Sequence, residues 1–324
     1  MDQMNWKEIN VLVTGADGFI GSHVANALMD KKADVVTIIR DIKKRNNLDI
    51  LNLRDKITVV HGDLVDLEAC RRTINEYDIE FCFHIAAQAI VGHANKSPLS
   101  TFESNIKGTW NILEACRLSK TIKGLVIASS DKAYGQQKKL PYTEESPLNG
   151  YYPYDASKAC AEILARCYYM TYGVPLAITR NANTYGPADM NLSRIIPDVI
   201  TNLLRNQQPI IRSDGTPERD YMYIKDAVNA YLTLASNLNR KDVEGEAFNF
   251  GTGKPISVLD VYTKIIKLMG KNIKPKILGK AENEIDRQYL SIEKAKKILK
   301  WQPKHSIDEG LKETIAWYKT FFRK

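Results

Sequence analysis

A chain of 324 residues, 44% apolar and 26% charged, is long enough for one large or two modest domains and has the balance of an ordinary globular protein rather than a disordered or fibrous one. No segment approaches the roughly 18 consecutive apolar residues of a membrane span, and the opening stretch, with Asp2 and Glu8 and no apolar centre, does not read as a signal peptide, so a cytoplasmic location is expected. The net charge of +8 is dispersed apart from Lys43-Lys44-Arg45 and the run from Lys294 to Lys300; no Arg stripe interleaved with aromatics argues for nucleic acid, whereas an anionic small substrate is compatible.

In chain order, Ile9 to Thr14 reads as a strand, Phe19 to Lys31 as a helix and Asp34 to Ile39 as a strand. Ile57 to His61 is a strand, Leu67 to Tyr77 a helix and Ile79 to Ala86 a strand. A long helix is expected from Pro98 to Ser119, a strand over Gly124 to Ser129, a helix over Tyr154 to Tyr172 and a strand over Pro175 to Arg180. Strands alternating with helices predict an α/β fold: a Rossmann-type, doubly wound parallel sheet, with ligands beyond the carboxyl ends of its strands. The second half changes character, with prolines at 187, 197, 209 and 217 and helices near Ser193 to Asn206, Lys225 to Asn237, Val258 to Met269 and Ile307 to Phe322. We expect a dinucleotide-binding domain over 1–180, with 242–256 returning to it through a strand at Glu246 to Phe250, and a smaller, intertwined substrate lobe over most of 181–324.

Five cysteines, an odd count with no C-x-x-C, and five histidines without metal spacing predict neither disulfides nor a metal site; Cys70, Cys82, Cys116, Cys160 and Cys167 read as small buried hydrophobes. Gly15-x-x-Gly18-x-x-Gly21 lies between the first strand and the first helix, where glycines let backbone approach a pyrophosphate at a helix N-terminus. The second strand ends Ile39-Arg40-Asp41. Arg40 in that place suits a 2′-phosphate and tips the cofactor toward NADP, although Asp41 is close enough in sequence to reach the ribose. Asp63, ending the third strand, is placed to accept from an adenine amino group. Tyr154 and Lys158, four apart, share a helix face. An ammonium beside a phenol would lower the tyrosine pKa from its usual value of about 10 and make it an acid/base.

With these stand His84-Ile85-Ala86-Ala87-Gln88, Asn105-x-x-Gly108-Thr109, Ser129 to Gly135, Arg180 to Pro187 and Arg219-Asp220-Tyr221. Together the motifs resemble the extended short-chain dehydrogenase/reductases that act on nucleotide sugars, over nearly the whole chain. The resemblance implies a tightly bound NAD(P) held by Gly15, Asp17, Gly18, Phe19, Ile20, Gly21, Arg40, Asp63, Leu64, Ala86, Ala87, Gln88, Asn105, Tyr154 and Lys158. It implies Tyr154 as acid/base on the sugar 4-hydroxyl, Lys158 on the nicotinamide ribose, and Ser130 (or, less well placed, Ser129) on the same hydroxyl. It also implies a nucleotide-diphosphate hexose near Gln88, Asn183, Arg194, Arg219 and Arg287, with Arg219 and Arg287 on the phosphates.

Asp131-Lys132, following Ser130, resembles the Asp-Lys of CDP-glucose 4,6-dehydratases, which favours NAD; the Arg40 region looks more like the NADP-using GDP-mannose enzymes. Elimination of water across C5–C6 needs a base and an acid beyond the tyrosine, and Lys132 and Asp131 are the candidates. A base role requires Lys132 to be neutral, which Lys158 and an oxidised nicotinamide nearby would favour. The expected activity is thus a nucleotide-sugar 4,6-dehydratase, against a 4-epimerase or 4-reductase and, remotely, a non-catalytic nucleotide sensor. The helices around Asn105 to Cys116 and Tyr154 to Tyr172 imply a homodimer or homotetramer.

Overall fold

The computed structural model describes residues 4–41, 45–279 and 285–323. The basic pair Lys43 and Lys44 and the first three residues lie outside that set. Seven strands form one wholly parallel sheet: β1 (Asn10–Thr14), β2 (Asp34–Ile39), β3 (Thr58–His61), β4 (Phe81–His84), β5 (Gly124–Ser130), β6 (Leu176–Asn181) and β7 (Ala247–Phe250). Their order is β3-β2-β1-β4-β5-β6-β7, so the winding reverses between β1 and β4, as expected of the Rossmann type. The chain after 181 returns to this sheet once, as β7, whose Ala247 pairs with Ile178 of β6.

Alternation along each strand feeds two cores. Val11, Val13, Phe81 and Phe83 point into one, with Val24 and Leu28 of α1 (Phe19–Asp30). Leu12, Cys82, Leu125 and Ile127 point into the other, with Cys70 and Ile74 of α2 (Leu67–Glu76) and Ile112 and Cys116 of α3 (Gly108–Leu118). Burial on both faces is why these strands read as unbroken apolar runs. α4 (Pro153–Tyr172) opens with proline, whose missing N–H costs nothing in a first turn, and ends at Gly173 in the left-handed region.

The helix expected from Pro98 to Ser119 is present with an interruption: a π-turn over Glu103–Lys107 lies between Pro98–Phe102 and α3. The second lobe has short strands that the sequence reading lacked. Asn183–Tyr185 pairs with Tyr221–Tyr223, and Glu218–Arg219 lies between Ile256–Ser257 and Arg287–Gln288. Its helices are α5 (Ile195–Leu204), α6 (Ile224–Ser236, which packs back on β5 and β6), α7 (Val258–Met269) and α8 (Ile307–Phe321). The cysteines divide. Cys70, Cys82 and Cys116 are buried as expected, but Cys160 and Cys167 are exposed, because they lie on the outer face of α4. Among the described residues no helix is long and apolar enough to cross a membrane, and no cluster of three metal-ligating side chains occurs.

Candidate functional site

The carboxyl ends of β1, β4 and β5 converge on one polar region. At the end of β1, Gly15 has φ +73°, and a Cβ there would come within 2.8 Å of the Ala86 Cα. A Cβ on Gly21 would come within 2.1 Å of the Gly15 carbonyl oxygen. Gly18 is less constrained and precedes α1, whose N-terminus no side chain caps. Uncapped first-turn N–H groups above a cradle that any Cβ would fill fit a dinucleotide pyrophosphate.

The loop after β4 is tied to this turn by a chain of polar contacts. The Ile85 and Ala86 N–H groups each donate to Thr14 Oγ1 at 3.1 Å. Thr14 Oγ1 is 3.0 Å from His84 Nδ1, and His84 Nε2 is 3.0 Å from Thr109 Oγ1. The Thr109 hydroxyl itself donates to Asn105 O at 2.6 Å, so it accepts from His84, and the neutral ring carries its proton on Nε2. Burial first, and then the Lys158 charge, hold His84 down at about 3, so it is neutral at physiological pH. Asn105, in the π-turn, accepts from Gln88 N at 2.6 Å and donates to Gln88 O at 3.2 Å and Ser157 Oγ at 2.9 Å. Ser157 Oγ donates to Tyr154 O at 2.7 Å. The motifs at 84–88, 105–109 and 154–158 are therefore one connected frame; Asn105 and Gln88 serve its geometry whatever else they touch.

At the edge of the second strand, Arg40 Nη2 donates to Asp41 Oδ2 at 2.8 Å, and its Nη1 is 4.0 Å from Asp63 Oδ2. The guanidinium expected to be open for a 2′-phosphate thus lies against two carboxylates. Leu64 packs at this end of the sheet, and its carbonyl accepts from Asn111 Nδ2 at 2.8 Å.

β5 ends at Ser130, whose side chain caps a 3-10 turn over Asp131–Tyr134 by accepting from Lys132 N. Ser130 Oγ donates to Asp131 Oδ1 at 3.1 Å, and Ser130 is the serine that acts on the Tyr154 phenol. Ser129 is buried, with no hydrogen-bond partner for its hydroxyl among the described residues. Asp131 is 2% exposed, and its Oδ2 likewise has no partner there. Burial raises the Asp131 pKa, while Lys132, Ser130 and Arg219 act downward.

One expectation reverses. Burial is the largest influence on Tyr154 and pushes its phenol up to about 12, with Ser130 and the charge of Arg194 acting downward. Lys158 donates to Ala128 O at 2.7 Å, and burial brings its own pKa down to about 8, which weakens any pull on the phenol. Lys132 also departs from the expected setting. The carboxyls of Asp131 and Asp155 both feel its charge, and its Nζ donates to Gln288 Oε1. The sequence reading gave neither Asp155 nor Gln288 a role. Both are marked by burial rather than by a spaced motif.

A cavity of about 550 Å³ opens in the second lobe. Asn183, Arg194, Arg219 and Tyr221 line it; Gln88 and Arg287 do not. Arg194 Nη1 donates to Thr184 O at 3.0 Å and lies 3.3 Å from Asp189. Arg219 is 8% exposed, whereas Arg287 is half exposed and pairs with Glu218 at 2.5 Å. Between Arg219 and Tyr221, the Asp220 carboxylate accepts from Thr252 N at 2.9 Å and Gly253 N at 3.0 Å, pinning the loop after β7 against the cavity wall.

Beneath the site lies a buried network. Arg180 of β6 makes a two-point contact with Glu162 of α4 and donates to Tyr134 Oη at 2.7 Å. Tyr134 Oη donates in turn to Asn249 Oδ1 of β7 at 2.7 Å. Burial works against the Arg180 charge, but Glu162 outweighs it and the guanidinium is held firmly protonated.

The chain is similar to known nucleotide-sugar enzymes over nearly its whole length. A CDP-glucose 4,6-dehydratase from Salmonella typhimurium is 30% identical over 339 residues, covering 100% of this chain and 94% of that protein. A UDP-glucuronate 4-epimerase from Thermodesulfobacterium geofontis is 32% identical and covered, like this chain, over 95% of its length. Among solved structures, the dTDP-glucose 4,6-dehydratase of Bacillus anthracis, determined in complex with NAD, has a TM-score of 0.85 and 29% identity, covering 96% of this chain and 97% of that one. The model of GDP-mannose 4,6 dehydratase matches residues 12–314, and the chain therefore belongs to that family, within the extended short-chain dehydrogenase/reductases.

Proposed function

We propose that the protein is a nucleotide-sugar 4,6-dehydratase that converts a nucleoside-diphosphate hexose into its 4-keto-6-deoxy derivative. The observation that carries this reading is the buried Asp131 carboxyl, raised in pKa, next to Lys132 at the end of β5 and within the field of Tyr154. Chemistry confined to C4 needs neither group; removal of water across C5–C6 needs both an acid and a base.

When bound, a nicotinamide supplies the acceptor for the C4 hydride and its return to C6. Gly15, Gly18 and Gly21 would hold its pyrophosphate, with Asp63 on the adenine and Tyr154 and Lys158 on the nicotinamide side. Tyr154 is the acid/base on the sugar 4-hydroxyl, with Ser130 fixing that hydroxyl; the positive charge of a bound oxidised nicotinamide would oppose the burial that raises its phenol. The 4-ketone makes the C5 hydrogen acidic, and Lys132 takes it. Asp131, which burial favours in the protonated form, gives its proton to the departing 6-hydroxyl, which leaves as water. Lys132 then returns its proton to C5. Asn183, Arg194 and Arg219, lining the second-lobe cavity, suit the nucleoside diphosphate, whereas Arg287 lies outside that lining and is paired with Glu218.

The pairing of Arg40 with Asp41, with Asp63 4.0 Å away, supports NAD over NADP, since a 2′-phosphate would meet two carboxylates with one guanidinium. Exposed Leu99, Trp110, Ile163 and Met170, on neighbouring helices, support a homodimer through α3 and α4.

The decisive experiment incubates the protein with CDP-, GDP-, UDP- and dTDP-hexoses, reads the products by mass spectrometry, and identifies the cofactor released on denaturation. Loss of one water from a hexose is the expected result. A product of unchanged mass, inverted at C4, would establish the 4-epimerase reading instead, which the likeness to a UDP-glucuronate 4-epimerase favours as the second one.

A further inference from the structure

Gln288 is fully buried and uses both ends of its amide on two consecutive residues of the catalytic turn. Its Nε2 donates to Asp131 O at 2.9 Å, and its Oε1 accepts from Lys132 Nζ. That pair of contacts fixes the amide orientation, because a flipped amide would aim its NH₂ at the ammonium. The backbone of Gln288 lies beside Arg219 in the parallel pairing of Arg287–Gln288 with Glu218–Arg219. One short strand of the second lobe thus reaches both the cavity wall and the catalytic turn.

We propose that Gln288 is a positioning residue that sets Lys132 Nζ in the active site from the second lobe and couples that setting to occupation of the Arg219 side of the cavity. This rests on the dehydratase reading. The chemistry of the side chain suits the task. Lysine is long and flexible, and a fixed acceptor restricts where its nitrogen lies. A neutral acceptor can take a hydrogen bond from either the ammonium or the amine, and it favours the ammonium far less than a carboxylate would. The charge of Lys132 already acts on the carboxyls of Asp131 and Asp155. A carboxylate bonded directly to the nitrogen would hold the proton there and remove the base, so glutamine fits where glutamate would not.

The test compares wild type, Gln288→Leu and Gln288→Glu as full-length, cofactor-loaded protein, on the hexose that wild type converts. For Gln288→Leu we expect kcat for water loss to fall about 10–100-fold with KM for the nucleotide sugar nearly unchanged. Reduced-nicotinamide absorbance should build up, because oxidation at C4 does not use Lys132. For Gln288→Glu, the pH at which water loss sets in should move up by about one to three units, with activity recovering at high pH. A raised KM with kcat unchanged, an equal fall in C4 oxidation and water loss, or a wild-type pH profile in Gln288→Glu would each overturn the proposal. A second measurement is independent of turnover: ¹⁵N-lysine NMR of the same proteins, with the Lys132 Nζ signal assigned through Lys132→Met. Its titration should differ among the three proteins, and identical curves would overturn the positioning role. If wild type inverts C4 without losing water, the dehydratase reading fails, and the NMR titration still decides whether Gln288 holds Lys132.

Discussion

The Asp155 carboxyl is 5% exposed in the first turn of α4, and burial pushes its pKa up to about 6, with Lys132 pulling down and Asp131 pushing up. A carboxyl whose folded pKa lies above its unfolded value of 3.8 binds protons more tightly when folded. Its effect on stability is therefore favourable at low pH, and a penalty develops as pH rises through about 6, reaching on the order of 2–3 kcal/mol above it. Asp155→Asn should raise the chemical-denaturation midpoint at pH 7.5, and the gain should vanish below pH 4. A gain independent of pH would mean that the charge is not what the fold resists. On the dehydratase reading, Asp131→Asn with Lys132→Met should cut water loss by at least about 10²-fold while C4 oxidation remains detectable. Undiminished dehydration in that double variant would remove both residues from the chemistry. Tyr154, Lys158, Ser130 and Asp131 were legible in the sequence because each belongs to a spaced motif. Asp155 and Gln288 were not, since what marks them is burial and a contact across 156 residues of chain.

Elements of the main sheet were legible for a related reason: a parallel strand covered on both faces must be apolar throughout, and that signal needs no partner. The two-residue strands at 218–219 and 287–288 carry no such signal, because pairing alone defines them. The π-turn at Glu103–Lys107 was hidden too, as its residues suit an ordinary helix; Asn105, held by Gln88 and Ser157, is the side chain it presents. Between elements, the Glu162–Arg180 contact joins α4 to β6 and, through Tyr134, steadies the turn bearing Asp131 and Lys132. Glu162→Gln leaves a guanidinium buried without its counter-charge and should cost about 3–5 kcal/mol, read as a lower denaturant midpoint at unchanged m-value. A loss under 1 kcal/mol would show that water or another group compensates Arg180.

At the scale of the whole molecule, dinucleotide and nucleotide sugar would meet where β5 ends, between a sheet that fixes geometry and a lobe that carries the charge for phosphate. Gly15→Ala must place a Cβ against Ala86 with φ in the left-handed region, and should abolish cofactor retention through denaturation-and-extraction analysis while leaving the far-UV circular dichroism of the sheet intact. Retention at wild-type stoichiometry would place the dinucleotide elsewhere. The division of the cysteines has a use of its own. Cys160 and Cys167 lie on the same outer face of α4 as Ile163 and Met170, while Cys70, Cys82 and Cys116 sit inside the second core. The five thiols thereby form two internal clocks. Alkylation of the outer two runs at the pace at which subunits part, if α4 is where they join. Alkylation of the inner three runs at the pace at which the sheet itself comes open.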